Sequence, residues 1–372
     1  MKNILVFLAC VLTLGAPVFS QVQLSGEASA FSLKSSRSQN QRVVNKGTAT
    51  FGWRLDLFVD AKVTDNVFVL ANTRSVEEDP MEVDYAAIRI VDFAGLGFNV
   101  QMGKFDMPFG NLAERRFPSR NFLYGLPLIY EYRMSLPNQV AARLDVLNGR
   151  GKGLGMRLLD YGIYDLGAML YGDVGPLHYA VAGSNGTISS AAYHQLNQND
   201  DFNKIVRLAY TPMMGLTVGA SAAMGAYLAD GGKPLPRVET TSNHYQQLIG
   251  EADIEFSRDR FILNGEGVYS QWTVPFENED TKLSVIGYYA EAKYTWFPRF
   301  YTAARVGGLL FSRITVGATD PRWDNNVFEV EAGIGYHLDR NTILKLVRRE
   351  TRTPEVTGTR DNLTVLQLAV SF

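Results

Sequence analysis

Three closely spaced arginines are the side chains of this sequence best suited to binding another molecule. Arg115, Arg116 and Arg120 carry guanidinium groups, which hold oxyanions through planar, paired donors. They could therefore contact dissolved anions. The same arginines could instead form ion pairs with Glu114, Glu131 or a neighbouring wall, and so hold their own segment in place. The sequence leaves both interpretations open.

The histidines and the cysteine do not form a catalytic pattern. A catalytic histidine needs a nucleophile and an orienting partner within hydrogen-bond reach. The four histidines are accompanied by no serine elbow, no HExxH pattern and no close His/Asp pair; they are His178, His194, His244 and His337. The only cysteine is Cys10. The sequence therefore predicts no enzyme, no cofactor and no metal site, with a hydrolase as the less favoured alternative.

The first twenty residues have the pattern of a cleaved secretion signal. Lys2 precedes an apolar run at residues 4–14, and small residues at 18–20 form a cleavage context. This run is too short to cross a membrane as a helix. We predict a signal peptide at 1–20 and a single domain at 21–372, which would contain no thiol because Cys10 lies in the signal.

Composition excludes two further classes. The chain is 46% hydrophobic, yet its mean hydropathy is only −0.07, and no second uninterrupted apolar run is long enough for a transmembrane helix. A helical membrane protein is thereby excluded. The net charge of −2 argues against nucleic acid as a partner.

Alternation with a period of two is the main structural signal. Between 49 and 61 every odd residue is apolar, whereas the even residues are mostly polar. Clear segments of the same kind follow at 84–92, 97–105, 203–211, 215–228, 245–257, 260–273, 283–296, 300–312, 326–338, 341–351 and 363–372. Weaker ones lie at 22–33, 66–74, 139–147, 152–160, 164–172 and 175–184.

The connections alternate between short turns and long polar loops, which is typical of an up-and-down β-barrel. A soluble β-sandwich also has alternating strands, but rarely loops of such regular alternation. We predict an all-β, antiparallel barrel of about 18 strands. Because the stretch 139–172 is the weakest, 16 strands is the alternative.

Strand parity predicts which charged residues face the interior. Inward charges are mostly basic early in the chain, at Arg54, Arg89, Arg143, Arg157 and Arg207. They are mostly acidic later, at Glu251, Asp253, Glu255, Glu266, Glu291, Glu329 and Glu331, relieved by Lys293 and Arg305 and followed by Lys345 and Arg349. We expect a basic wall facing an acidic wall across water. The alternative is that these charges merely pair with their neighbours.

Two stretches and the final strand resemble bacterial outer-membrane porins. The motif GKFDMPFGNLAERRFPSRNF at 103–122 and the stretch at 153–186 are similar to phosphate-selective (O/P-type) porins, and the last strand ends on an aromatic residue, Phe372. A lumenal lysine and arginine ladder is typical of that subfamily. Here lysines are sparse and the later strands are acidic.

The resemblance implies a transmembrane barrel in outer-membrane lipid. It implies a homotrimer that passively admits small hydrophilic solutes or ions. An inward-folded loop at about 106–137 would constrict each channel. The barrel-assembly machinery would recognise the strand that ends at Phe372. The alternative is a non-conducting structural or adhesive barrel, or one that sheathes a partner.

Overall fold

A computed structural model describes most of the chain beyond the predicted signal. The described residues are 21–35, 49–77, 80–160, 164–191, 199, 201–229, 235, 240–276, 279–355 and 360–372. The predicted signal peptide at 1–20 and His194 lie outside these residues.

The described chain forms one closed antiparallel barrel of sixteen strands, in which each strand pairs with its sequence neighbours. The strands are β1 Gln21–Ser35, β2 Ala49–Lys62, β3 Val67–Val76, β4 Glu82–Ile90, β5 Asn99–Asp106, β6 Tyr164–Val174, β7 Leu177–Ser184, β8 Asn203–Met213, β9 Leu216–Ala226, β10 Gln246–Arg258, β11 Phe261–Pro275, β12 Asp280–Phe297, β13 Phe300–Phe311, β14 Val327–His337, β15 Thr342–Arg352 and β16 Arg360–Ser371.

Side chains alternate between the two faces of this wall, as the period of two requires. On β16, Leu366 and Leu368 are exposed on the outside, whereas Gln367 and Ala369 are buried inside. The barrel closes where β16 pairs with β1, with Ala30 opposite Leu368. The predicted barrel class and the parity of the final strand are confirmed.

The strand number is 16, the smaller of the two predicted values. The segments 139–147 and 152–160 are not strands in the described residues. Part of the first forms a short helix, Arg143–Asn148, in which the Asp145 side chain accepts a hydrogen bond from the Ala142 amide at 3.2 Å. Arg143 and Arg157 therefore do not belong to the barrel wall, and their assignment to wall strands is wrong.

Residues 107–160, which we call the inner segment, enter the barrel between β5 and β6. The segment contains the helices α1, Leu128–Glu131, and α2, Arg143–Asn148. Its apolar side chains pack on the inward faces of the later strands, in one buried cluster with Trp272, Leu283 and Tyr289. The barrel is thus partly filled by its own chain.

Glycine makes this close approach possible on β12. A β-carbon at Gly287 would lie 2.6 Å from Leu158 and 2.8 Å from Ile129 of the inner segment. No larger side chain fits there without displacing the segment. The inner segment and the later strands therefore pack so closely here that one additional carbon atom would have to displace a neighbouring side chain.

Candidate functional site

The inner segment is attached to the wall through charged side chains that point inward. Lys345 on β15 is buried, and its ammonium group donates to the backbone carbonyls of Pro118 at 2.7 Å, Asn121 at 3.1 Å and Leu123 at 2.9 Å. An ammonium group has three donors, so this lysine is fully satisfied by the segment. Lys345 therefore holds the backbone of the inner segment and does not face the lumen.

Glu27 on β1 and Glu331 on β14 complete this attachment. Glu27 accepts from the amide of Ser119 at 3.0 Å and also from its hydroxyl, while Glu331 accepts from the amide of Tyr124 at 3.2 Å. Arg349 donates to the carbonyl of Tyr124. Backbone polar groups of a buried segment need such partners, because leaving them unpaired is costly.

The acidic wall is neutralised locally. Arg305 lies between two strands and bonds Glu291 at 2.8 Å and Glu331 at 2.9 Å, with all three side chains buried. Arg115 of the inner segment donates to the Tyr289 hydroxyl at 3.0 Å and lies 3.4 Å from Glu291. Buried carboxylates of this kind are stable only when paired.

A second group of wall carboxylates receives polar atoms of the segment. Glu266 accepts from the Asn111 amide at 2.6 Å and from the Tyr130 hydroxyl at 2.7 Å. Asp253 accepts from the Asn111 side chain at 3.2 Å and is paired with Arg207 at 2.6 Å. The acidic wall is therefore covered by the inner segment, and the expected field across open water between two walls is wrong.

The motif at 103–122 owes part of its pattern to this docking. Gly110 has a φ of +68°, and a β-carbon there would lie 2.8 Å from the Tyr130 hydroxyl. Only glycine meets both conditions comfortably. Phe105 and Phe109 flank this turn and are buried. The motif thus encodes how the chain leaves β5 and enters the barrel.

The middle of the inner segment is attached to the β13–β14 loop. Asp324 accepts from the Ser135 amide at 2.7 Å and from the Asn325 amide at 2.7 Å, and the Ser135 hydroxyl donates to the Trp323 carbonyl at 3.0 Å. Burial raises the pKa of Asp324 to about 7, although these amide donors act in the opposite direction. We call this contact the Asp324 latch.

Two of the cavities in the described part of the barrel lie between the inner segment and the wall. The first, of about 330 Å³, is lined by residues of β4–β8 and of the segment, namely Tyr85, Arg89, Gln101, Asp106, Met107, Pro108, Phe109, Gly110, Leu112, Arg116, Tyr130, Met169, Tyr171, His178, Ala180 and Arg207. The second, of about 310 Å³, lies beside β1, β2, β15 and β16. Arg116 lines both cavities.

Arginine dominates the charged lining of these cavities. Among the described residues, six arginines line one or both of them, Arg54, Arg89, Arg116, Arg157, Arg207 and Arg349, against two carboxylates, Asp106 and Glu131. Arg116 stacks over the Tyr164 ring, 4.1 Å from its centre. These two cavities are therefore lined by more guanidinium groups than carboxylates.

The structure divides the three clustered arginines among different environments. Arg115 is an anchor, Arg116 borders the cavities, and Arg120 is exposed. Arg143 bonds Thr281 at 2.9 Å and also contacts Glu279 near the loop end of the barrel. Arg157 pairs with Asp160 at 3.2 Å in the second cavity.

The predicted acidic residues also separate. Glu251, Asp253, Glu266, Glu291, Glu329 and Glu331 are buried. Glu255 is half-buried and lines a smaller cavity of about 260 Å³ beside Arg115. Sequence reasoning missed Tyr85 and Tyr171 in the first cavity and Asp324 in the latch. Tyr85 follows a register shift near Asn72 that changes the parity of β4, and no local pattern marks Asp324.

Two histidines have aspartate partners, so the expectation that none would is wrong. His178 lies 2.9 Å from Asp173, and His244 lies 3.2 Å from Asp280. Neither imidazole has a hydrogen bond to a serine or threonine hydroxyl within the described ranges. Searches of those same ranges find no helix able to cross a membrane and no cluster of ligands able to hold a metal ion.

Comparison with known proteins identifies the fold. Protein-family models and curated proteins give no match. Among solved structures, the anion-selective porin from Comamonas acidovorans superposes with a TM-score of 0.62 at 10% identity, covering 95% of this chain and 100% of that one. The outer membrane channel DcaP of Acinetobacter baumannii gives 0.62 at 11% identity, with coverages of 96% and 99%.

A third similar structure is a loop-deletion mutant of OmpT, an outer membrane protein of Vibrio cholerae. It superposes with a TM-score of 0.60 at 11% identity, covering 95% of this chain and 99% of that one. The barrel architecture is therefore one found in bacterial outer-membrane porins.

Removing the Lys345 ammonium group should release part of the inner segment. Lys345→Met leaves three carbonyls without their donor, each costing about 1–3 kcal/mol. We expect trypsin to cut after Arg120 faster than in the wild type, as followed by mass spectrometry. Lys34→Met, at an exposed position of β1, is the control. Equal cleavage rates in Lys345→Met and wild type would contradict the anchoring role.

The Asp324 latch should weaken as pH rises. The pKa of Asp324 in the folded protein lies above the ordinary value of 3.8. At a pH between these two values, Asp324 therefore takes up a proton when the chain folds. The free energy of unfolding consequently falls as the pH increases through that interval. Asp324→Asn cannot ionise. Thermal unfolding from pH 5 to 8 should therefore show the wild type losing stability relative to Asp324→Asn, whereas a pH-independent difference would refute this assignment.

Proposed function

We propose that this protein is an outer-membrane porin that lets small hydrophilic solutes diffuse passively, with a preference for anions. Its barrel fold and apolar outer surface support the location in outer-membrane lipid, where a closed barrel satisfies every backbone hydrogen bond. A cleaved signal at 1–20 would direct the chain there. The final strand, ending at Phe372, would be read by the barrel-assembly machinery.

The arginine lining of the two cavities is the observation that supports an anion preference. Six inward carboxylates of β10–β14 are buried, so they contribute little to the space that a solute would enter; they are Glu251, Asp253, Glu266, Glu291, Glu329 and Glu331. Rings of arginine or lysine are the usual means of anion selection in pores. The inner segment, longer than the predicted 106–137, would form the constriction, and Arg116 would lie at its narrow part.

The main rival is a barrel that does not conduct. The inner segment fills much of the interior, and the spaces described are cavities of about 330 Å³ and 310 Å³. A structural, adhesive or partner-sheathing barrel would have the same anatomy. Discrete conductance steps in planar bilayers support the porin, and their absence supports this rival.

Arg116→Gln should shift ion selectivity toward cations. A unit charge acting at about 4 Å in water is worth about 1 kcal/mol, so the anion-to-cation permeability ratio should fall by up to about fivefold. The measurement is the zero-current potential across a potassium chloride gradient. Arg258→Gln, at an exposed turn, should change nothing, and a cation-selective wild type would overturn the proposed preference.

A homotrimer is also proposed, with β15, β16 and β1 facing the neighbouring subunits. The outward residues there include Ala28, Ala30 and Ser32 on β1, and Arg348 on β15, which donates to Thr364 on β16 at 2.7 Å. Arginine on a lipid-facing strand costs about 2–4 kcal/mol near the membrane centre. Contact with protein would relieve this cost.

A large side chain on this strip should disrupt the oligomer. Ala30→Trp is expected to convert trimers to monomers in native electrophoresis, because the small residue permits close approach of strands. Val206→Trp, at an exposed outward position of β8, is the matched control. Identical migration of both variants and wild type would exclude this strip as the interface.

A further inference from the structure

We propose that the first cavity is a binding site for monoanions that carry an aromatic or apolar body, with benzoate as the simplest probe. The inference rests on the proposed function, since it names the solute class that such a channel would favour. It comes from the lining of this cavity, which combines a guanidinium group that has no acidic partner with several apolar and aromatic side chains.

Arg89 supplies the charge. Its Nε donates to the Gln101 side-chain oxygen at 3.0 Å, and no described carboxylate lies within 4.0 Å of it. Neutral partners, which are the Gln101 amide and the hydroxyls of Tyr85 and Tyr171, orient the guanidinium group without neutralising it. Arg207, on the same wall, instead shares its charge with Asp253 at 2.6 Å. Arg89 is therefore the member of this wall best able to bind an incoming carboxylate through paired donors.

Apolar and aromatic side chains supply the rest of the site. Met107, Phe109 and Met169 line the cavity together with the rings of Tyr85 and Tyr171. Such side chains remove little water from a small inorganic ion, but they bury the ring of an aromatic acid favourably. Aromatic edges and methionine sulfur also make attractive contacts with aromatic rings.

The volume of the cavity and the one carboxylate in its lining narrow the class of solute further. A volume of about 330 Å³ lies at the small end of ligand pockets, which span about 300–1,000 Å³. Asp106 is the one carboxylate among the described lining residues. Its charge opposes a second negative charge on the solute. A compact monoanion thus fits better than phosphate or a dicarboxylate.

The second cavity does not share this chemistry. Three of its arginines have acidic partners: Arg54 lies 2.7 Å from Asp56, Arg157 lies 3.2 Å from Asp160, and Arg349 lies 3.4 Å from Glu331. Binding of an anion there would compete with pairs that already exist. The first cavity is therefore the site at which recognition is expected.

The experiment compares four solutes on single channels of the full-length protein. Benzoate should reduce the chloride current in a saturable manner. Acetate, inorganic phosphate and neutral benzyl alcohol should do so at least about tenfold more weakly, because each lacks one of the two features. Equal effects of benzoate and acetate, or stronger effects of phosphate, would overturn the inference while leaving the porin function intact.

Two variants separate the charge from the apolar surface. Arg89→Gln should weaken benzoate block by about fivefold or more and also lower anion selectivity. Met169→Gln should weaken benzoate block more than it weakens acetate block, because only benzoate carries a ring for this surface. Met214→Gln, at a fully exposed turn, and Arg258→Gln are controls. Unchanged benzoate block in both cavity variants would refute the site.

Failure of the proposed function has a different signature. A wild-type protein without conductance would refute the porin, yet benzoate binding to the purified barrel can still be measured by calorimetry. Binding that is lost in Arg89→Gln would support the site in a non-conducting barrel. No measurable binding to folded wild type would overturn the inference independently of conductance.

Discussion

Charge buried inside the barrel must be paired, and this requirement organises the interior. The ion network of Arg305 with Glu291 and Glu331 lies beneath the inner segment, where water does not solvate it. Each of these groups would be costly alone, because a buried ion without a partner loses its hydration. The inner segment and the later wall thus form one structural unit, stabilised by matched charges.

This pairing determines which part of the interior is filled by the inner segment. The segment covers the strands rich in carboxylates and leaves space beside the strands rich in arginine. Because acidic residues are concentrated in the later strands, the interior beside those strands is packed, whereas cavities remain beside several arginines. If the same charges were distributed evenly around the barrel, charge pairing would not favour one side for the inner segment.

The wall could be predicted from sequence far better than its contents. Alternation at 49–61 and 363–372 closely matches β2, Ala49–Lys62, and β16, Arg360–Ser371, since the period of two follows directly from strand geometry. The same reasoning failed at 139–160, where short apolar runs belong to the inner segment. Strand parity also correctly predicted that Glu266 and Glu331 point into the barrel. Parity does not predict whether a side chain that points inward meets water or protein, because that depends on contacts across the barrel.

The seam between the first and last strands has a consequence for how the chain reaches its native state. β1 pairs with β16 from Glu27 opposite Ser371 to Ser35 opposite Leu363, so the two partners are separated by almost the whole polypeptide. Until synthesis is complete, β1 has an unpaired edge, which is the kind of surface that recruits other strands. Pairing at such sequence separation is intrinsically slow. The outer edge of β1 therefore stays open to pairing with other strands until β16 has been made.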